Sequence, residues 1–259
     1  MTILDELSAY ARERTQKAKI LVPPEIMKQK AMDKGKGDFA FEKALRKPGI
    51  SFICECKKAS PSKGLIAPDF PYLDIAREYE AAGADCISVL TEPKWFLGDN
   101  GYLEEIAKEV SIPCLRKDFT VDEYMIYEAR TLGASAVLLI CSILTAEELK
   151  KYMEICDELG LSALVEAHDE QEVRTAVEAG ARVIGVNNRN LKDFTVDTEN
   201  SRRLKSLVPE GVIFVSESGV SSPGDVKKLR EAGVDAVLVG EALMRALDKT
   251  ARLKELRGL

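Results

Sequence analysis

The sequence has a single histidine, His168, and a single tryptophan, Trp95. One histidine excludes most zinc-hydrolase motifs, which need at least two. No two of the six cysteines, Cys54, Cys56, Cys86, Cys114, Cys141 and Cys156, form a C-x-x-C pair. Most lie in apolar runs, so they read as reduced core residues, not as disulfides or metal ligands. There is no basic excess: the net charge is −6, which argues against nucleic acid as the main partner. There is no long hydrophobic run either. The longest near-apolar stretch, residues 134–144, is too short to span a bilayer. Residues 1–10 are acidic and polar, unlike a secretory signal. These absences give the expectation of a soluble, cytoplasmic chain without membrane contact. Nothing in the residues speaks to oligomeric state.

The 259 residues are 46% hydrophobic and 31% charged, an ordinary globular composition. A chain this long can bury roughly 70–75% of its unfolded surface without disulfide staples. Short apolar, β-branched runs recur at 50–56, 85–90, 112–116, 134–141, 161–166, 182–186, 212–216 and 234–239. Their near-continuous apolar character suits parallel strands covered on both faces. Helical patterns lie between them. Thr145 and Glu148 form a capping box ahead of a helix over 145–159, and Ser222 with Pro223 starts another. Gly83, Gly133, Gly160, Gly180 and Gly233 each stand where a helix must stop before the next strand, a position that favours left-handed backbone. Eight strand–helix units in this length predict an α/β fold, a (β/α)8 TIM barrel. The rival is a doubly wound sheet. Its glycine signature has a match at Gly35, Gly37 and Ala40, but no strand precedes that match. Residues 2–19 read as an amphipathic helix broken at Pro23-Pro24. The expected organisation is one domain over 1–259, with an N-terminal helical extension (1–47) on a barrel (50–259).

Barrel chemistry sits at the carboxyl ends of the strands. Glu55 and Lys57 are two apart and point the same way, with Cys56 opposed. With Lys117 and Glu166 they form a charge-balanced set of two acids and two bases. Strand-end Glu and Lys can equally be rim residues in structural ion pairs. A neighbouring positive charge would depress a lysine toward neutrality. Ser218-Gly219 and Gly240 precede helix starts, where backbone amides can take a phosphate. Trp95, Phe96 and Phe119 offer an apolar wall for an aromatic substrate. His168 reads as a loop or capping residue.

The decapeptide Glu55-Cys56-Lys57-Lys58-Ala59-Ser60-Pro61-Ser62-Lys63-Gly64 resembles the first-strand signature of indole-3-glycerol-phosphate synthases. Segments 115–119, 164–166, 185–191, 216–219 and 238–244 are similar to the later motifs of that family, in order. The resemblance implies conversion of 1-(2-carboxyphenylamino)-1-deoxyribulose 5-phosphate to indole-3-glycerol phosphate in tryptophan biosynthesis, with loss of CO2 and water. It implies a phosphorylated small-molecule substrate and neither metal nor organic cofactor. By the same resemblance Lys117 is the general acid of ring closure, and Lys57 serves dehydration. Glu166 is a base or charge stabiliser and Glu55 a proton-transfer partner. Asn187 is an orienting amide, and Ser218 belongs to the catalytic set. Ser60, Phe96, Phe119, Leu138, Arg189, Glu217 and Leu238 would contact substrate, and Ser218, Gly219, Gly240 and Glu241 its phosphate. The alternatives are another phosphate-binding barrel, such as phosphoribosylanthranilate isomerase, for which Cys54 and Cys56 leave an opening, or a non-catalytic phospho-metabolite binding protein.

Overall fold

Eight parallel strands close into a barrel in this computed structural model, which describes residues 2–190 and 194–258. The strands are β1 (Ser51–Cys56), β2 (Cys86–Leu90), β3 (Cys114–Lys117), β4 (Ala136–Ile140), β5 (Ser162–Ala167), β6 (Val183–Asn187), β7 (Ile213–Glu217) and β8 (Ala236–Val239). Each pairs with its sequence neighbour, and β1 pairs with β8, in register from Ser51 opposite Ala236 to Cys54 opposite Val239. A two-stranded hairpin, Ala59–Ser60 with Gly64–Leu65, sits on the β1 loop. The TIM-barrel expectation is met.

Alternation divides the core in two. Ile53, Leu115, Leu138, Leu164, Val215 and Leu238 point inward and fill the barrel. Cys54, Cys56, Val137, Val165 and Val237 point outward, beneath the helices. The glycine stops hold: Gly83, Gly133, Gly160, Gly180 and Gly233 all have positive φ. So do the caps, with complete capping boxes at Thr145 and Ser222. The helices of the repeating units are α4 (Tyr72–Ala81), α5 (Asn100–Glu109), α6 (Glu123–Thr131), α7 (Ala146–Leu159), α8 (Glu170–Glu178), α9 (Glu199–Lys205) and α10 (Pro223–Glu231), followed by α11 (Glu241–Met244) and α12 (Lys249–Arg257).

The N-terminal segment forms α1 (Ile3–Leu21), α2 (Pro24–Asp33) and α3 (Ala40–Leu45). Helix α1 lies at the carboxyl end of the barrel, tied by Arg14 to Asp118, by Lys19 to Asp122 at 2.6 Å, and by the Tyr124 hydroxyl donating to the Val22 carbonyl at 3.1 Å. Helix α2 runs beside α6. Helix α3 plugs the opposite end, where Glu42 pairs with Arg182 at 3.0 Å and its amide donates to Ser162 Oγ. The Gly35/Gly37/Ala40 pattern has a packing role here. The amide of Gly37 donates to the Leu159 carbonyl, and a Cβ on Gly37 or Gly160 would collide with the other's backbone.

Candidate functional site

The carboxyl ends of the strands surround a cavity of about 660 Å³. Of the residues named above for catalysis, substrate or phosphate, all but Trp95 line it: Glu55, Lys57, Ser60, Phe96, Lys117, Phe119, Leu138, Glu166, Asn187, Arg189, Glu217, Ser218, Gly219, Leu238, Gly240 and Glu241. One end of the β6 motif, Leu191, lies outside the described residues.

Three carboxylates and two ammonium groups form its floor. Lys57 Nζ is 2.5 Å from Glu55 Oε1. Lys117 Nζ lies between Glu166 Oε2 at 3.4 Å and Glu217 Oε2 at 3.6 Å. Burial opposes the charge on Lys117, but Glu166, Glu217 and Glu55 outweigh it and raise its pKa. This corrects the expectation of a lysine pushed toward neutrality: its near neighbours are acids, so it stays an ammonium. For Glu166, burial favours the neutral form, yet Lys117, His168 and the Asn187 amide prevail and hold it below the usual carboxylate range. Glu217 goes the other way. Burial, with Glu166 and Glu55 nearby, outweighs Lys117 and pushes it up to about 8.

Local sequence explains this packing. Glu217 Oε1 occupies the space above Gly185, where a Cβ would collide with it. A Cβ on Gly240 would collide with Glu55 Oε1 and crowd Lys57 Nζ, 3.0 Å away. The two glycines make room for three ionisable heads in a narrow barrel. Gly219 has φ +89°, and a Cβ there would strike Val196 and Thr198. Among the described residues, no turn or loop hydrogen bond occupies the amides of Gly219, Gly240 and Glu241. The Glu241 carboxylate is engaged by Arg245 at 3.1 Å and Lys63 at 3.6 Å. These amides and cations make one wall of the cavity anion-friendly.

The opposite wall is apolar. Phe96 and Phe119 pack at 6.1 Å between ring centroids, with Leu138 and Leu238 beside them. Trp95 is not in this wall. It stacks edge-on against Tyr10 of α1 at 5.6 Å, under the Lys94 ammonium. Phe96 is held by Glu92, a fully buried carboxylate that accepts the amides of Lys94, Trp95 and Phe96 at 2.8–2.9 Å. No motif in the sequence marks Glu92. The motif over 185–191 does not single out Asn188, whose buried amide ties Ser216, Ser218 and Ser201 together and so fixes the turns after β6 and β7. Ile3 and Leu7 of α1 and Arg252 of α12 line the cavity as well. They lie far from any strand end in sequence, and no motif marks them. His168 does sit in a loop, as expected, but behind Glu166, with Nε2 3.5 Å from its Oε1 and Nδ1 3.1 Å from Glu172.

Solved barrels with low identity share this architecture. A chain of the tryptophan synthase complex of Pyrococcus furiosus has a TM-score of 0.61 at 15% identity, over 82% of this chain and 99% of that one. Thiamine phosphate pyrophosphorylase of the same organism gives 0.59 at 18%, over 81% and 94%. Likenesses at that level speak to fold alone. Sequence relatives are far nearer. The indole-3-glycerol phosphate synthase of Ruminiclostridium cellulolyticum is 56% identical over 99% of both chains, and that of Lachnoclostridium phytofermentans 50% over 99% of both. The family profile described as indole-3-glycerol phosphate synthase matches residues 4–256. With a match of that extent laid over a barrel whose mouth gathers both lysines and all three glutamates, the chain belongs to the indole-3-glycerol phosphate synthase family.

Proposed function

We propose that the chain closes the indole ring of 1-(2-carboxyphenylamino)-1-deoxyribulose 5-phosphate, releasing CO2 and water to give indole-3-glycerol phosphate. The observation that carries this reading is Lys117, held charged among buried carboxylates, in one cavity with a second lysine and a wall of turn amides. The turn amides near Ser218, Gly219, Gly240 and Glu241 would grip the phosphate as a remote handle. The Phe96–Phe119 wall would take the aryl ring.

In the first step the ring carbon attacks the ketone, and the developing alkoxide takes a proton from the Lys117 ammonium. Departure of CO2 leaves its bonding electrons in the ring system. The hydroxyl then leaves as water, with the Lys57–Glu55 pair placed to supply an acid and a base. Glu166 stabilises positive charge and Asn187 orients it. The isomerase reading loses its opening. Cys54 and Cys56 face outward into the helical layer, and burial raises both thiols, so neither offers a base to the cavity.

Purified protein should form fluorescent indole product from the ribulose phosphate substrate. Lys117→Ala should keep its far-ultraviolet circular dichroism and lose on the order of 10²–10⁴ in kcat. A folded variant within about tenfold of the parent, less than one general acid supplies, would defeat the assignment.

A further inference from the structure

Among the described residues, the floor of the cavity sets three carboxyls against two lysines. Glu55 is matched by Lys57 at 2.5 Å. Glu166 and Glu217 share Lys117. His168 does not restore the balance, because its ring is also claimed by Glu172. Of the two carboxyls at Lys117, Glu166 has the better support, with His168 on its far side and the Asn187 amide beside it. Glu217 is 2% exposed, stands 3.6 Å from Lys117, and among the described residues its Oε1 has no hydrogen-bond partner. A buried, half-unpartnered anion beside a second anion is the costliest charge in the group.

We propose that Glu217 is carried as a neutral carboxylic acid in the free protein, and that its ionisation sets the upper pH limit for binding an anionic substrate. The inference rests on the reading of the cavity given above, because a substrate bearing an aryl carboxylate and a phosphate is repelled by every added negative charge. With Glu217 neutral, Lys117 has one counter-ion and can attract a second anion. With Glu217 ionised, that place is taken. The groups facing Glu217 are Lys117 on β3, Glu166 on β5, Glu55 on β1 and His168 after β5. Its position near 8 agrees with this placement. Lys117, raised by the same acids, titrates well above that range.

Two measurements test it. The first is KM against pH, for the parent and Glu217→Gln. Parent KM should rise above about pH 8, by up to about tenfold per pH unit. The Gln variant, which keeps the shape but has no proton to lose, should show no rise over that range. A rise that persists in the variant, or its absence in the parent, overturns the proposal. The second needs no substrate and no variant: infrared titration of the parent in D2O. A protonated-carboxyl band should be present at neutral pH and disappear over the same range as the KM change. Absence of that band at neutral pH overturns the proposal. Because this readout is independent of turnover, it separates an error about Glu217 from an error about the reaction.

Discussion

Gly185 shows how much a single hydrogen atom decides at the residue scale. Its missing side chain is the space in which the Glu217 carboxyl lies. Gly185→Ala is therefore expected to displace Glu217 and disturb both ends of the Lys117 contact. Overpacking of this kind costs about 1–3 kcal/mol. A urea unfolding curve should show that loss, accompanied by a raised KM. An unchanged midpoint together with unchanged KM would mean that the Glu217 head is placed elsewhere. The motif around residue 185 drew attention to Asn187 and Arg189. The role of the glycine was not legible, because it depends on a neighbour 32 positions away.

At the scale of elements, the N-terminal helix does more than cover the barrel. Arg14 pairs with Asp118, whose side chain is wholly buried and also meets Arg116, Thr91 and the Phe119 amide. Asp118 follows Lys117 directly, so α1 is anchored to the loop that presents the lysine and one aromatic wall. Arg14→Met removes one partner of a buried carboxylate and should cost about 1–3 kcal/mol. Limited proteolysis should then cut ahead of residue 24 sooner than in the parent. Equal protection in both proteins would show that the remaining contacts of α1 suffice. The helix itself was readable from the spacing of Ile3, Leu4, Leu7 and Tyr10, and its break from Pro23-Pro24. Its place over the cavity was not, since a periodic stripe says that a face is buried without saying against what. Strand ends were legible for the opposite reason. Alternation fixes relative direction, which put Glu55 and Lys57 on one face and Cys56 on the other, and the cavity shows the first face to be the inner one. Lys117 and Arg116 divide likewise, the arginine lying under the helices against Glu128 at 2.6 Å.

For the molecule as a whole, the buried acids and His168 determine how stability follows pH. A carboxyl whose folded pKa is raised, as for Glu217, contributes fully below its ordinary value of 4.5 and loses that contribution as pH climbs toward 8. For His168 burial favours the neutral ring, but Glu172 and Glu166 prevail and raise it above 6.5. Its contribution is complete below 6.5 and also declines as pH rises through the folded value. Asp118 and Glu166 are depressed in spite of burial, by Arg14 and Arg116 in one case and chiefly by Lys117 in the other. Their contribution is lost as the solution becomes strongly acidic. Unfolding midpoints should therefore peak near about pH 5 and fall toward pH 8, with a shallower fall in Glu217→Gln. A flat profile from pH 5 to about 8 would contradict these assignments. The barrel class was legible because eight apolar runs and five glycine stops agree on one repeat.

The route of residues 2–46 has a kinetic meaning. They begin above the strand mouths, descend along α6 and finish as a stopper at the other rim, where Glu42 meets Arg182, 140 positions later, and Arg46 meets Gly211, 165 later. This segment precedes every strand, yet it finds its last partners beyond β5 and β6. Such distant pairings carry a loop-closure cost that slows folding, so closure at both rims is expected late in folding.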